Sequence, residues 1–429
     1  MRSITFLVLL ALMISCSQKK SESASDHSLV ETRMAKWLKD GEYFRIGSEL
    51  ERSAHVLPKA KLKFYQAFVE GAFNHRAIAI SLADSLLKGT DPMLTDSARV
   101  ELLLLLRDNY FKSFQYREAA ATGRTIVTNY KSILGDRLHD IENDLIIHDG
   151  LKDVAAQVVT VKEVNLKWKP NKLGLIEIPI KTRGETLAII FDTRAHLSTV
   201  TESFARKLHL RILDTSFEES SGITGIKFQA RLGVADTLFL GDVMIQNAIF
   251  QVLPDEQLHF PSLNFTLDGI LGFPVITQLK EVHIFQNGDF VISPTTEPGK
   301  FKNLAFDRST TAMSVVNDAD TLTFHFDTGA TGTEFYGNYF NQFKEKTMSN
   351  GKLEIVESGG VGGTIKTEVY ILPVVNLRIG ETKIELKDIA VRTKPSFKGQ
   401  KYNGNIGQDV IKQFDEMVLN FEDMYVSFR

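Results

Sequence analysis

Two aspartates, Asp192 and Asp327, each close an apolar run and are each followed by threonine, in AIIFDTRA at 188–195 and TFHFDTGA at 323–330. An ionised carboxylate is costly to bury unless something uses or satisfies it, so an aspartate ending a buried strand is a candidate for chemistry. The surrounding sequence repeats. ETLAIIFDTRAHLSTV at 185–200 aligns with DTLTFHFDTGATGTEF at 320–335, an offset of 135 residues that also superposes Ser198 on Thr333. DGILGFPVITQLKE at 268–281 aligns with NGNIGQDVIKQFDE at 403–416 at the same offset, so Asp192 to Gly272 and Asp327 to Gly407 both span 80 residues. Between them lie two glycine-rich stretches, SSGITGIKF at 220–228 and SGGVGGTIK at 358–366. Ordered motifs that keep one separation in both halves read as a duplicated unit.

The elements that must position these residues are β-strands. From about Leu173 the chain alternates apolar and polar residues, with frequent Gly, Asn and Asp turns, and LGLIEIPIKTRGETLAIIF, ADTLFLGDVMIQNAIFQVL and VVNLRIGETKIELKDIAVRT read as hairpins. The region before them has a helical period. MAKWLKDGEYFRIGSELERS, KLKFYQAFVEGAFNHRAIAISLADSLL and ARVELLLLLRDNYFKSFQYREAAATGRTIV read as three helix pairs, with Gly41, Gly71 and Ser113 at their turns. They resemble a short array of the tetratricopeptide type; a plain helical bundle is the alternative. Leu102–Leu106 is far too short to span a bilayer and reads as helix core. The expected fold class is multidomain α plus all-β: a helical domain over 29–150, then β lobes over 165–298 and 299–429.

The 429 residues carry a net charge of -3 without a basic block, which argues against nucleic acid as a partner. Arg2 and the apolar run Ile4–Ile14 form a secretory signal, too short to be a membrane span. Residues 1–16 end in LMISC, which resembles a bacterial lipoprotein signal, and this implies lipidation of Cys16, the chain's one cysteine; a plain signal peptide with an incidental cysteine is the alternative. With no second cysteine, no intramolecular disulfide forms. Residues 17–28 read as a solvated tether, and the expected location is the cell envelope, at the outer membrane.

A strand ending in Asp-Thr-Gly-Ala, a hydroxyl six residues beyond the aspartate, a glycine-rich hairpin about thirty residues on and a later apolar-apolar-Gly element together resemble the retropepsin-like and pepsin-type aspartyl proteases, the bacterial retropepsin-like group above all. The resemblance implies a two-lobed acid-protease fold and hydrolysis of extended polypeptides without metal or other cofactor. In that chemistry one carboxylate takes a proton from water while a neighbouring protonated carboxyl polarises the peptide carbonyl. It implies that Asp192 and Asp327 form the dyad and that Thr193 and Thr328 lock the halves beneath it, with Gly329 beside them. It also implies that Ser198 and Thr333 support the loops, and that Gly222, Ile223, Thr224 and Gly225, with Gly360, Val361, Gly362 and Gly363, belong to substrate-binding flaps. Ile270-Leu271-Gly272 and Asn405-Ile406-Gly407 would pack under the loops, with Asn405 standing where an apolar residue is expected.

Arg194 replaces the motif glycine in the first half. A guanidinium aimed into the cleft would favour ionised aspartates and give a weak or inactive pseudoprotease that still binds peptides. One turned outward, or over the cleft toward a substrate carboxylate, leaves an active dyad of altered specificity. A third reading pairs the second halves of two chains. SGGVGG has phosphate-loop composition, but a strand follows it. His196 and His325 read as ordinary polar or core-edge histidines, with His325 facing away from the neighbours of Asp327, and no metal-ligand spacing is present. The helical region is expected to offer a surface to a protein partner.

Overall fold

A computed structural model describes residues 28–89, 94–220, 225–360, 363–395 and 400–429. Among the described residues seven α-helices come first: α1 over 28–40, α2 Tyr43–Ser53, α3 Lys59–Ala72, α4 Arg76–Lys88, α5 Asp96–Lys112, α6 Tyr116–Leu134 and α7 Leu138–Leu151. Thr95 caps α5 by accepting a hydrogen bond from Ala98 N, and Asp96 adds a charge that suits the helix N-terminus. Val100, Leu104 and Arg107 are buried along one face of α5 and Leu102 and Leu106 along the opposite face, so this helix is enclosed by its neighbours. Gly71 does not make the turn expected of it. Helix α3 runs through Gly71 to Ala72, and Asn74, at φ 66°, turns the chain instead.

The β-rich region holds two large sheets. In the first, strand Glu185–Phe191 pairs antiparallel with Ile176–Thr182 and parallel with Gly269–Leu271, which in turn pairs antiparallel with Ser198–Thr201. In the second, Asp320–Phe326 pairs antiparallel with Thr310–Asn317 and parallel with Gly404–Ile406, which pairs antiparallel with Glu334–Phe335. The registers correspond: Ile190 and Phe191 face Ile270 and Leu271, as His325 and Phe326 face Asn405 and Ile406. A five-stranded sheet joins the halves, because Glu281–Phe285 pairs antiparallel with Glu416–Asn420. One continuous apolar core runs through both halves, with edge-to-face contacts such as Phe191 on Phe290 at 5.1 Å and Phe273 on Phe306 at 4.7 Å.

The helical region docks at several places, two of which are held by clusters of hydrogen bonds. Helix α7 covers the edge strand Arg211–Ser220, where the Asn143 amide donates to Glu218 O at 2.7 Å and accepts from Glu218 N at 2.9 Å. An uncovered edge invites further strand pairing, and this contact closes it. Behind it Tyr116, Ile147 and Leu151 pack with Phe217. At the second place Asp307 accepts from Tyr43 Oη and Tyr402 Oη, each at 3.0 Å, and from Lys401 Nζ at 3.1 Å. Burial alone would raise the Asp307 carboxyl, but Lys401 and these donors overcome it and hold it down to about 2. Among the described residues no helix is long and apolar enough to cross a membrane.

Candidate active site

Each aspartate is set by the same local geometry. Asp192 N donates to Leu271 O at 3.1 Å and Asp327 N donates to Ile406 O at 3.0 Å, so each leaves its strand over the parallel neighbour. Gly272 N donates to Ser198 Oγ and Gly407 N to Thr333 Oγ1, both at 3.1 Å. Phe273 N reaches Ala195 O at 2.8 Å and Gln408 N reaches Ala330 O at 2.9 Å. A Cβ on Gly272 or Gly407 would overlap the backbone of the loop above it, at Ala195 and Leu197 in one half and Gly332 in the other. Thr333 differs from Ser198 in also donating to Asp409 at 2.7 Å.

Beneath the aspartates the threonines cross between halves. Thr193 N donates to Thr328 Oγ1 at 3.1 Å and Thr328 N to Thr193 Oγ1 at 3.0 Å. Their hydroxyls then donate to the opposite strands, Thr193 to Phe326 O at 2.8 Å and Thr328 to Phe191 O at 2.7 Å. Both side chains are fully buried, so the four bonds replace water entirely.

This crossing brings the carboxyls together. The Asp192 carboxyl lies so close over Gly329, two residues past Asp327, that a Cβ on Gly329 would overlap it. Its Oδ1 accepts from Arg194 N at 2.8 Å and Ala195 N at 3.1 Å. Burial, and then the charge of Asp327, push the Asp192 carboxyl up to about 7. Asp327 is surrounded by donors: Gly329 N at 2.9 Å from Oδ1, and Asn405 Nδ2 at 3.1 Å from Oδ2. The arrangement can therefore hold a proton on Asp192 near neutrality beside an acceptor at Asp327.

Arg194 points into the cleft. Its Nη1 lies 3.6 Å from Asp327 Oδ2, in the other half, and 3.4 Å from Tyr336 Oη. The two outcomes left open by the sequence thus resolve toward the inward one, yet Asp192 keeps its raised position, because burial and the Asp327 charge outweigh the guanidinium there. His325 also departs from expectation. It sits two residues before Asp327, and its ring is 6.5 Å from that of Tyr336 and 4.7 Å from that of Tyr402. Residues two apart on a strand share a face, so the imidazole joins the surroundings of Arg194 instead of facing away. Burial, then the Arg194 charge, push it down to about 3, so it is neutral. His196 ties its loop to the edge strand through Glu219, with Nε2 to Oε2 at 3.2 Å. Burial opposes the imidazolium, but Glu219 wins and its pKa is raised.

Tyr336 and Glu219 were given no role from the sequence, and Asn405 was expected only to pack under its loop, not to bond Asp327. Only Asn405 left a signal there, as the polar residue aligned with Ile270. Of the flap residues, Gly225 (φ 68°), Gly360 and Gly363 lie on hairpins, with Gly360 paired to Gly363. Gly222, Ile223, Thr224, Val361, Gly362 and Cys16 lie outside the described residues. A cavity of about 1450 Å³ lies elsewhere, between the helices and the second half, and is lined by Trp37, Tyr43, Lys112 and Arg308 among others. Among the described residues no group of three or more His, Cys, Asp or Glu could hold a metal ion. No curated protein matches the chain. Residues 178–275, most of the first β half and including Asp192, match the family model described as aspartyl protease.

Proposed function

We propose that the chain is an aspartic endopeptidase acting on extended polypeptides, with Asp192 and Asp327 as its dyad and the two β halves as the lobes of one acid-protease unit. The observation that carries this reading is the Asp192 carboxyl lying against Gly329 while burial, and then the Asp327 charge, push it up to about 7. Asp327 accepts a proton from a water held between the carboxyls as its oxygen attacks the scissile carbonyl carbon. Asp192 donates its proton to the carbonyl oxygen. The resulting gem-diol collapses, breaking the C–N bond as a proton passes from Asp327 to the leaving nitrogen, and a diol hydroxyl returns its proton to Asp192. Thr193 and Thr328 hold the two halves in register for this transfer, and Asn405 orients Asp327. The hairpins ending near Gly225 and at Gly360–Gly363 would flank an extended substrate by backbone pairing.

The second reading, a peptide-binding pseudoprotease, is favoured by one contact, Arg194 at 3.6 Å from Asp327. Digestion of a peptide library by the soluble chain, with and without pepstatin, separates the two. Cleavage that is lost in both Asp192→Asn and Asp327→Asn supports the peptidase. No cleavage by the wild type supports the binder, and loss only with Asp327→Asn supports pairing of second halves from two chains. As further parts of this proposal, Cys16 carries a lipid anchor in the cell envelope at the outer membrane, and the helices form a tetratricopeptide-like array that engages a protein partner.

A further inference from the structure

We infer that Arg194 selects substrates bearing a carboxylate beside the scissile bond, and that binding such a group draws the guanidinium off Asp327. This rests on the peptidase reading for its catalytic half only. Among the described residues, the one hydrogen bond made by the guanidinium is the 3.4 Å contact to Tyr336 Oη, and its distance to Asp327 Oδ2 is 3.6 Å, too long for a hydrogen bond. A guanidinium carries five N–H donors in a planar fork. Most of that fork is therefore unspent, on a side chain that is 28% exposed and faces the dyad.

Asp327 cannot use the fork well, since its Oδ1 already accepts from Gly329 N and its Oδ2 from Asn405 Nδ2. A substrate carboxylate has no such prior partners and offers two oxygens with the fork's own spacing. His325 beside it is neutral and adds no competing charge. Forming the bidentate pair removes positive charge from the neighbourhood of Asp327, which strengthens it as the base for water. In neutral substrates the guanidinium stays near Asp327 and holds the carboxylate back. Recognition and activation are thus one movement of one side chain.

The test has a cleavage arm and a binding arm, both with the full chain. In the first, wild type and Arg194→Gly digest the same peptide library. The wild type is expected to cut bonds flanked by Asp or Glu at least about tenfold better than those flanked by their amides, the discrimination one charge-assisted contact supplies. Arg194→Gly is expected to lose that preference and to cut neutral peptides faster. In the second, Asp192→Asn and Asp192→Asn/Arg194→Gly are titrated with fluorescent alanine pentapeptides containing a central Glu or Gln. An extended peptide can slide in register, so one Glu suffices. Tighter binding of the Glu peptide, lost with Arg194→Gly, supports the inference even if no variant cuts, an outcome that would sink only the peptidase reading. Equal treatment of Glu and Gln by wild-type Arg194, or a preference that survives Arg194→Gly, overturns it. Arg194→Gln, which keeps bulk without charge, replaces Arg194→Gly if that variant melts early, with the same outcomes.

Discussion

Replacing Asp192 by Asn should change how stability depends on pH, and in a direction opposite to that of an ordinary surface aspartate. Burial and Asp327 raise the Asp192 carboxyl from 3.8 to about 7. Between those values the folded chain keeps a proton that the unfolded chain has released, so unfolding releases a proton and stability falls as pH rises. The contribution is level below about pH 4, declines toward pH 7 and is level again above it. A shift of about three units corresponds to roughly 4 kcal/mol at 1.36 kcal/mol per unit. Asp192 is only partly buried, so solvent screening reduces this to about 2 kcal/mol. For a β region of this size that is about 4–8 °C in melting midpoint. The measurement is the difference in Tm between wild type and Asp192→Asn at pH 4.5 and pH 8, which cancels the titrating groups that do not interact with Asp192. Asn cannot ionise, so the variant should gain about 4–8 °C on the wild type in moving to pH 8. A difference that stays constant, or moves against the variant, would mean that the carboxyl is not held protonated and would remove the acid from the proposed mechanism. The same titration sets a ceiling on activity: kcat/KM should fall above about pH 7 as Asp192 loses its proton.

Three further outcomes are expected. Thr193→Val and Thr328→Val each remove a buried hydroxyl that donates to the opposite half and accepts from it, leaving a buried N–H unpaired, and should each cost about 1–3 kcal/mol in urea unfolding. Asn405→Ile restores the residue type found at Ile270 and removes a buried carbonyl oxygen that has no partner, so it should leave stability unchanged or raise it by about 1 kcal/mol while lowering kcat/KM, because Asp327 Oδ2 loses its donor. The His196–Glu219 pair raises the imidazole, so its contribution is complete below about pH 6.5 and fades as pH rises through the folded value. Hydrogen exchange in strand Arg211–Ser220 should therefore quicken at alkaline pH beyond the base-catalysed trend, and His196→Gln should abolish the excess.

What the sequence could disclose follows from the range of each interaction. The 135-residue offset is carried by residues whose roles are local to one strand and its loop, and the same separation links Thr193 to Thr328 across the two halves. Ser198 and Thr333 are legible for the same reason, since each supports its own loop over a glycine that tolerates no side chain. The direction of Arg194 was not legible, because it is set by Tyr336, 142 residues away in the other half, and by the field of Asp327. Docking of α7 on strand Arg211–Ser220 was hidden similarly. It uses Asn143, an unremarkable polar residue on a helix face, to bond the backbone of Glu218, and backbone groups carry no sequence signal. Asn405 was visible only as a break in the repeat, and its meaning required the register that sets it beside His325 and under Asp327. The two halves are thus alike in their strand-and-loop residues and in the symmetric threonine crossing, and unlike at Arg194 and Asn405 and where the helical region docks. The side chains of Arg194 and Asn405 both reach Asp327, whereas their counterparts Gly329 and Ile270 have no polar side chain to offer Asp192. The duplication supplies two carboxyls, and the departures from it give them different surroundings, with the Arg194 guanidinium and the Asn405 amide both beside Asp327.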